Sequence, residues 1–304
     1  MTDVLYITGM NRSGSTAFER FLAAHDGTVA AGEVSNLWLW GVDERLCSCG
    51  EPLDRCPFWG SVRSSAFGES GVPDEVAASA IRRYANRTRL VPLIHHPPRG
   101  MRDGLALVRS HLQRLYDAIA GAAQGRLVVD SSKYPTYAHL LSVTPGVRTA
   151  FVHLVRDSRA VAFSFGRRRA RPEIHWTHME MTTAPPAKAA AVWDVRFAAS
   201  LALRRYAPTV QLRYEDFVAD PSASAAHVRA LLEGAGMTTL GPRREDADPR
   251  WYHSAQGNPV RFEKHFSIRA DEEWRSAMSA RNKLVVSALT APFLALHRFG
   301  IGFA

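Results

Sequence analysis

Two anion-binding patterns and two isolated charged residues carry the chemistry open to this sequence. Between the apolar run Val4–Ile7 and the helical-looking Ala17–Leu22 lies Gly9-Met10-Asn11-Arg12-Ser13-Gly14-Ser15-Thr16. A glycine-bounded turn from strand to helix aims several backbone N–H groups and the positive end of the helix dipole at one point. Such a turn cradles phosphate-like anions. The Gly9-x4-Gly14 spacing is that of a P-loop, but Ser15 stands where its lysine should follow, and a cation, Arg12, sits inside the loop instead. We read it as a P-loop relative that does not use the usual nucleoside-triphosphate chemistry, with Arg12, Ser13, Gly14, Ser15 and Thr16 as its ligating residues. A plain Gly/Ser turn is the alternative.

The second pattern follows an apolar, β-branched stretch, Thr149 to Val155, which reads as a buried strand. It continues into Arg156-Asp157-Ser158-Arg159-Ala160, with Ser164 eight residues after Arg156. An arginine at a strand's carboxyl end and a serine on the following helix can converge on one anion, because ligands bind at that edge of parallel sheets. The arginine brings a forked donor and the serine one hydroxyl. A surface ion pair of Asp157 with Arg156 or Arg159 is the plainer reading. Two further segments are Leu212-Arg213-Tyr214-Glu215-Asp216-Phe217, at the end of another strand-like run, and Gln256-Gly257-Asn258-Pro259-Val260-Arg261. The latter is a Gly-Asn-Pro turn that could present Arg261 to a phosphate.

Taken in order, these segments resemble the PAPS-dependent sulfotransferases, enzymes that move a sulfuryl group from 3′-phosphoadenosine 5′-phosphosulfate (PAPS) to an acceptor. Arg-Ser-Gly-Ser-Thr at 12–16 looks like their 5′-phosphosulfate loop. The Arg156/Ser164 pair resembles their 3′-phosphate site, and Tyr214 their adenine-side tyrosine. Gly257, Asn258 and Arg261 resemble a Gly-Asn-Pro-x-Arg loop that holds the 3′-phosphate in related bacterial enzymes. The resemblance spans residues 4 to 262 and implies PAPS as donor and 3′-phosphoadenosine 5′-phosphate (PAP) as product. It also implies a hydroxyl-bearing acceptor, such as a small molecule, glycan or lipid, and no metal requirement.

In-line sulfuryl transfer needs a base for the acceptor hydroxyl and cations near the phosphosulfate oxygens. Glu33 follows the first helix in a Gly32-Glu33 pair that resembles the catalytic Gly-Glu of the protein-tyrosine sulfotransferases. A carboxylate near sheet-edge cations can act as base in a partly dry site. His95, His96, His175 and His178 are rival bases. Lys133, past the core strand Leu127–Asp130, can reach a breaking bridge oxygen. Lys133-Tyr134-Pro135 resembles a catalytic Lys-Asp-Pro, with Tyr134 departing from that pattern. Pairing of Glu33 with an arginine, or of Lys133 with Asp130, is the purely structural alternative. Arg12 would share the charge stabilisation.

These residues need a frame. Strand patterns at 4–8, 28–31, 126–130, 149–155 and 209–213 alternate with helical ones, which predicts an α/β three-layer sandwich with a mainly parallel sheet. The 304 residues fit a single domain, with a helical insertion over 61–125 (helices over 74–86 and 103–121) and a flap over the site at 167–187. A helix over 283–296 is expected to pack on the core, being too short and interrupted to span a bilayer. The first strand begins at residue 4, which leaves no room for a cleavable signal peptide, so cytoplasmic residence is expected.

The formal charge is +9, and only four of the 38 cations are lysines. That balance suits an anionic ligand, while no nucleic-acid motif is recognisable. Cys47, Cys49 and Cys56 cluster within ten residues. Three thiolates can begin a zinc site, but a structural site takes four ligands and no histidine is expected nearby. They read as a structural loop, either reduced or holding a labile disulfide. The alternative functions are a P-loop phosphotransferase using ATP, which should show Gly-Lys-[Ser/Thr] and a magnesium-binding carboxylate, and a catalytically inert nucleotide-binding protein.

Overall fold

The computed structural model describes residues 1–40, 44–69, 71, 73–85, 98–263 and 266–296. Five strands, β1 (Thr2–Gly9), β2 (Thr28–Gly32), β3 (Leu127–Lys133), β4 (Val147–Val155) and β5 (Thr209–Arg213), form one sheet in the order β2-β3-β1-β4-β5. Every adjacent pair is parallel. The near-continuous apolar character of β1 and β4 is what a sheet covered on both faces requires. Side-chain alternation assigns the faces. Val4, Tyr6, Val128 and Phe151 pack on one side, and Leu5, Ile7, Val129 and Val152 on the other.

The first face is covered by helices α3 (Pro57–Phe67), α5 (Arg99–Ala122) and α6 (Pro135–Ser142), through Trp59, Leu112, Tyr116 and Tyr137. Helix α4 (Glu75–Ala85) packs on α5. Helices α1 (Ser15–Ala23), α9 (Tyr214–Ala219) and α10 (Pro221–Gly234) cover the second face with Phe18, Phe217 and Val228. Helices α7 (Ser158–Gly166), α8 (Pro186–Ala202) and α12 (Ala280–Leu296) pack together beside the carboxyl ends of β1 and β4, around Met10, Val155, Trp193 and Leu294. The α/β, three-layer, parallel-sheet expectation is therefore met. The helices expected at 74–86 and 103–121 correspond to α4 and α5, and α3 begins ahead of position 61. No described helix is long and apolar enough to cross a membrane.

Two irregularities at the sheet's carboxyl edge differ from the sequence expectation and matter for the site. β3 does not stop at Asp130; Ser131, Ser132 and Lys133 remain in the sheet and are buried. The β1–β3 register shifts between the Tyr6–Asp130 and Thr8–Lys133 pairs, and the β2–β3 register shifts between Ala30 and Gly32. Bulges of this kind bend a strand and re-aim its last side chains. They also leave Lys133 at φ +72°, a strained backbone for a residue with a Cβ. Its carbonyl is held there by the Thr8 hydroxyl, which donates to it over 3.3 Å.

Beneath this edge lies the carboxyl of Glu19, on α1. It accepts from the Gly32 N–H at 2.7 Å and from the Ser131 hydroxyl at 2.8 Å, and so joins the ends of β2 and β3. Complete burial, against those two donors, pushes its pKa up to about 8. Between the ordinary 4.5 and about 8 the folded chain therefore holds a proton that the unfolded chain releases. That contribution to stability is full below pH 4.5 and is lost as pH rises through 8. Glu19→Gln keeps one acceptor for Gly32 and gives a donor to Ser131. In thermal unfolding followed from pH 5 to 9, it should flatten the alkaline fall in Tm by several degrees, at about 2–4 °C per kcal/mol. An unchanged slope would mean that Glu19 does not carry the proton.

Candidate active site

The carboxyl ends of β1, β2, β3 and β4 converge on one cavity of about 340 Å³. Open parallel sheets place ligands there, where neighbouring connections leave in opposite directions. Each predicted residue reaches it by its own route. Arg12 (φ +72°) and Gly14 (φ +84°) form the left-handed turn after β1. Gly14 precedes α1 with no side chain capping the helix and no acidic residue in its first turn, so the helix N-terminus opens into the cavity. Only glycine fits at 14: a Cβ there would lie 2.3 Å from the Tyr214 ring. Arg12, Gly14, Ser15, Thr16, Glu33, Lys133, Arg156, Ser164, Gly257 and Asn258 all line the space.

Three predicted residues do not. The Ser13 hydroxyl is buried without a hydrogen-bond partner and faces the core beneath the loop, beside His153 and Trp193. Tyr214 lies one layer below, its ring 4.6 Å from the Arg156 guanidinium and its hydroxyl donating to the Arg269 carbonyl at 3.1 Å. Arg261 is fully buried. Its two terminal nitrogens donate to the carbonyls of Ser254 (2.6 Å) and Leu46 (3.1 Å), so it ties two loops together rather than facing the cavity. The turn reaches the cavity instead through Gln256, Gly257 and Asn258, and Asn258 N–H donates to the Thr16 hydroxyl at 3.0 Å.

Within this arrangement Glu33 and Lys133 form an ion pair. Lys133 Nζ lies 2.5 Å from Glu33 Oε1 and also donates to the Ser131 carbonyl at 2.8 Å. Asn36 Nδ2 donates to the other Glu33 oxygen at 2.8 Å. The alternative pairing of Lys133 with Asp130 does not form. The Asp130 carboxylate is fully buried and accepts from the Tyr116 hydroxyl, the Ser132 N–H (2.8 Å) and the Ser132 hydroxyl (2.5 Å). Burial pushes its pKa up to about 6, opposed by those donors. Among the described residues Arg12 makes no ion pair; it touches Met181 Sδ at 2.8 Å and the face of Phe165. Desolvation and the nearby Arg169 lower its pKa, while the Glu33 carboxylate raises it.

Arg156 is buried and occupied. It donates to the carbonyls of Arg12 (3.1 Å) and Asp271 (2.9 Å), and it pairs with the Asp271 carboxylate at 3.1 Å. The ion pair with Asp157 belongs to Arg159, at 2.7 Å, while Asp157 caps α7. Asp271 and Asn36, which no sequence motif contains, also line the cavity, as do Arg169, Arg171 and Met181 of the 167–187 segment. Asn36 is three residues past Glu33, a helical spacing that could have found it. Nothing local marks Asp271, because it meets Arg156 across 115 residues.

The 167–187 segment is folded back on itself through the Ala170–Glu180 bridge, and it closes one wall with Arg169, Arg171, Met181 and Thr182. His175 and His178 are exposed and do not line the cavity; His95 and His96 lie outside the described residues. One expectation about the cysteines needs correction. A fourth candidate ligand is present in space, because His253 meets Cys47, Cys49 and Cys56 from a segment remote in sequence.

Comparison with curated proteins finds no match. Among solved structures, the sulfotransferase domain from the curacin biosynthetic pathway is 15% identical, with 96% of this chain and 98% of that one covered at a TM-score of 0.45. A sulfotransferase from Alicyclobacillus acidocaldarius is 13% identical, covering 99% and 97% at a TM-score of 0.41. One from Mycobacterium tuberculosis H37Rv is 15% identical, covering 78% and 68% at 0.38. The sulfotransferase family profile matches residues 5–239, from the first strand through the Tyr214 segment. The chain belongs to the sulfotransferase family.

Proposed function

We propose that the protein transfers a sulfuryl group from PAPS to the hydroxyl of a small-molecule, glycan or lipid acceptor, in the cytoplasm. The observation that carries this reading is the Glu33–Lys133 pair, 2.5 Å apart, at the rim of a cavity that also receives an uncapped helix N-terminus. Five cations (Arg12, Lys133, Arg156, Arg169 and Arg171) face that cavity against two carboxylates, Glu33 and Asp271. An anion of high charge density suits this imbalance.

The residues fit such a donor. The open amides at the start of α1, the Ser15 and Thr16 side chains and the ion-pair-free Arg12 would hold the 5′-phosphosulfate. Arg156 and Ser164 would hold the 3′-phosphate, with Asp271 giving up its pairing to Arg156. Bound PAPS supplies an activated sulfuryl group, whose S–O bond to the phosphate breaks as a new S–O bond to the acceptor oxygen forms. Glu33 takes the hydroxyl proton, and Asn36 orients its carboxylate. Lys133 and Arg12 offset the charge developing on the departing phosphate oxygen. An ATP-dependent phosphotransferase fits less well, because Asp130, the carboxylate placed to hold magnesium, is buried and already accepts from three donors.

Titration calorimetry with PAP, and in parallel with ATP and magnesium, tests the donor class. PAP should bind clearly more tightly, and preference for ATP would overturn the sulfuryl reading. Binding of PAP without turnover of PAPS on any hydroxyl acceptor would indicate the inert nucleotide-binding alternative. Lys133→Ala should lower kcat about 100-fold or more and leave PAP affinity within a few-fold; near-normal turnover would remove Lys133 from the chemistry. Arg156→Ala should weaken PAP by about 10- to 100-fold, the range of a hydrogen bond to a charged group. It should scarcely affect an adenylate lacking the 3′-phosphate, and equal losses for both ligands would show that the 3′-site lies elsewhere.

A further inference from the structure

We propose that Cys47, Cys49, Cys56 and His253 form a structural zinc site, separate from the catalytic cavity and independent of the donor assignment. Their ligand atoms all lie within 4.8 Å of one another. A tetrahedral zinc ion with bonds of about 2.3 Å to sulfur and about 2.0–2.1 Å to nitrogen requires edges of about 3.8 Å between sulfurs and about 3.6 Å between sulfur and nitrogen. The observed edges are 3.7 Å for Cys49–Cys56, 3.3 Å for Cys56 to His253 Nδ1 and 3.8 Å for Cys47 to the same nitrogen. Four ligands supplied by the chain leave no open position for a substrate, which is the mark of a structural rather than a catalytic site.

The surroundings prepare each ligand for a metal. His253 Nε2 faces the Arg250 carbonyl at 3.2 Å, and a carbonyl can only accept. That carbonyl would hold a hydrogen on Nε2 and leave Nδ1, which faces Cys47 and Cys56, as the ligand atom for a metal. Phe58 stacks on the imidazole at 5.0 Å with an interplanar angle of 2°, and Trp59 Nε1 donates to the His253 carbonyl at 2.6 Å. Cys47 and Cys49 lie on a tight turn in which Cys47 N–H donates to the Glu51 carbonyl and Gly50 N–H donates to the Cys47 carbonyl. Gly50, at φ +91°, supplies the left-handed residue that turn requires. Cys56 directly precedes α3, at its N-cap position. Cys47 and Cys56 are buried and only Cys49 is exposed, so the centre would be largely shielded from solvent.

A disulfide is the competing state. Joining Cys49 to Cys56 would draw the sulfurs from 3.7 Å to about 2.05 Å and leave Cys47 and the His253 lone pair facing an emptied corner. The zinc site explains why all four converge. It also explains a mechanical feature, since it would clasp two segments about 200 residues apart in sequence, each of which touches the catalytic machinery. Next to Cys47, Leu46 accepts from Arg261 and donates to the Glu173 carbonyl of the flap. Just beyond His253, the Gln256 carbonyl accepts from the Glu33 N–H, and Gly257 and Asn258 line the cavity.

The test is elemental analysis of the full-length protein, purified under reducing conditions, with a parallel count of free thiols. About one zinc per chain is expected. Replacement by cobalt(II) should give the intense visible bands of a tetrahedral ion and a near-ultraviolet thiolate-to-cobalt band. Cys49→Ser, at the exposed ligand, should lose most of the zinc while keeping the wild-type far-ultraviolet circular dichroism, and its Tm should no longer respond to a chelator. Metal-free protein with three titratable thiols would overturn the proposal. So would a Cys49–Cys56 disulfide found by peptide mapping, or iron in place of zinc. Because none of these readouts uses a nucleotide, a wrong zinc assignment and a wrong sulfuryl donor would be told apart.

Discussion

A parallel sheet covered by helices on both faces can tolerate charge at its strand ends and nowhere else. In this protein the rule is pressed to its limit, because Glu19, Asp130 and Lys133 are all buried at or just beneath the carboxyl edge. A desolvated charge survives only when it is paired and hydrogen-bonded, or when it is neutralised by holding or losing a proton. The edge uses both solutions. Lys133 is paired with Glu33, and Asp130 is surrounded by donors. Glu19 moves toward its protonated form. The bulges in β2 and β3 are the geometric counterpart, since they turn Glu33 and Lys133 toward each other and toward the cavity rather than into the apolar layers.

This constraint gives the site its asymmetry. On the β2–β3 side, a hydrogen-bonded network of Glu19, Ser131, Gly32, Asn36, Glu33 and Lys133 holds the Glu33–Lys133 ion pair in place. On the β1–β4 side, the groups are charged but incompletely matched. Arg12 rests on a thioether and an aromatic face, and Arg156 borrows an aspartate from a distant segment. Under the proposed function, the rigid side would handle the proton and the other side would hold the anionic donor, since in-line group transfer asks a protein mainly to position groups and stabilise charge.

Much of the outer wall consists of segments that owe their place to contacts remote in sequence. Arg261 is the clearest case. Its motif suggested a phosphate ligand, yet its donors go to the carbonyls of Leu46 and Ser254. A guanidinium satisfies a carbonyl as readily as a phosphate, and only the surroundings decide between them. Similarly, Tyr214 packs beneath Gly14, which must be glycine to make room for it, and contributes through Arg156 rather than directly at the cavity.

The sequence by itself determined the parallel α/β architecture, because apolar runs of strand length alternating with helical patterns leave few other ways to bury both faces. It also determined the loop at 12–16 and the edge positions of Glu33, Lys133 and Arg156, because each is local to one strand end and its type and spacing carry the signal. Only the tertiary structure decided which partner each charge takes. Lys133 chose Glu33 over Asp130, Asp271 met Arg156 from across 115 residues, and His253 completed the cysteine cluster from 197 residues past Cys56. Those pairings depend on burial and on which chain segments end up side by side, and no local pattern encodes either.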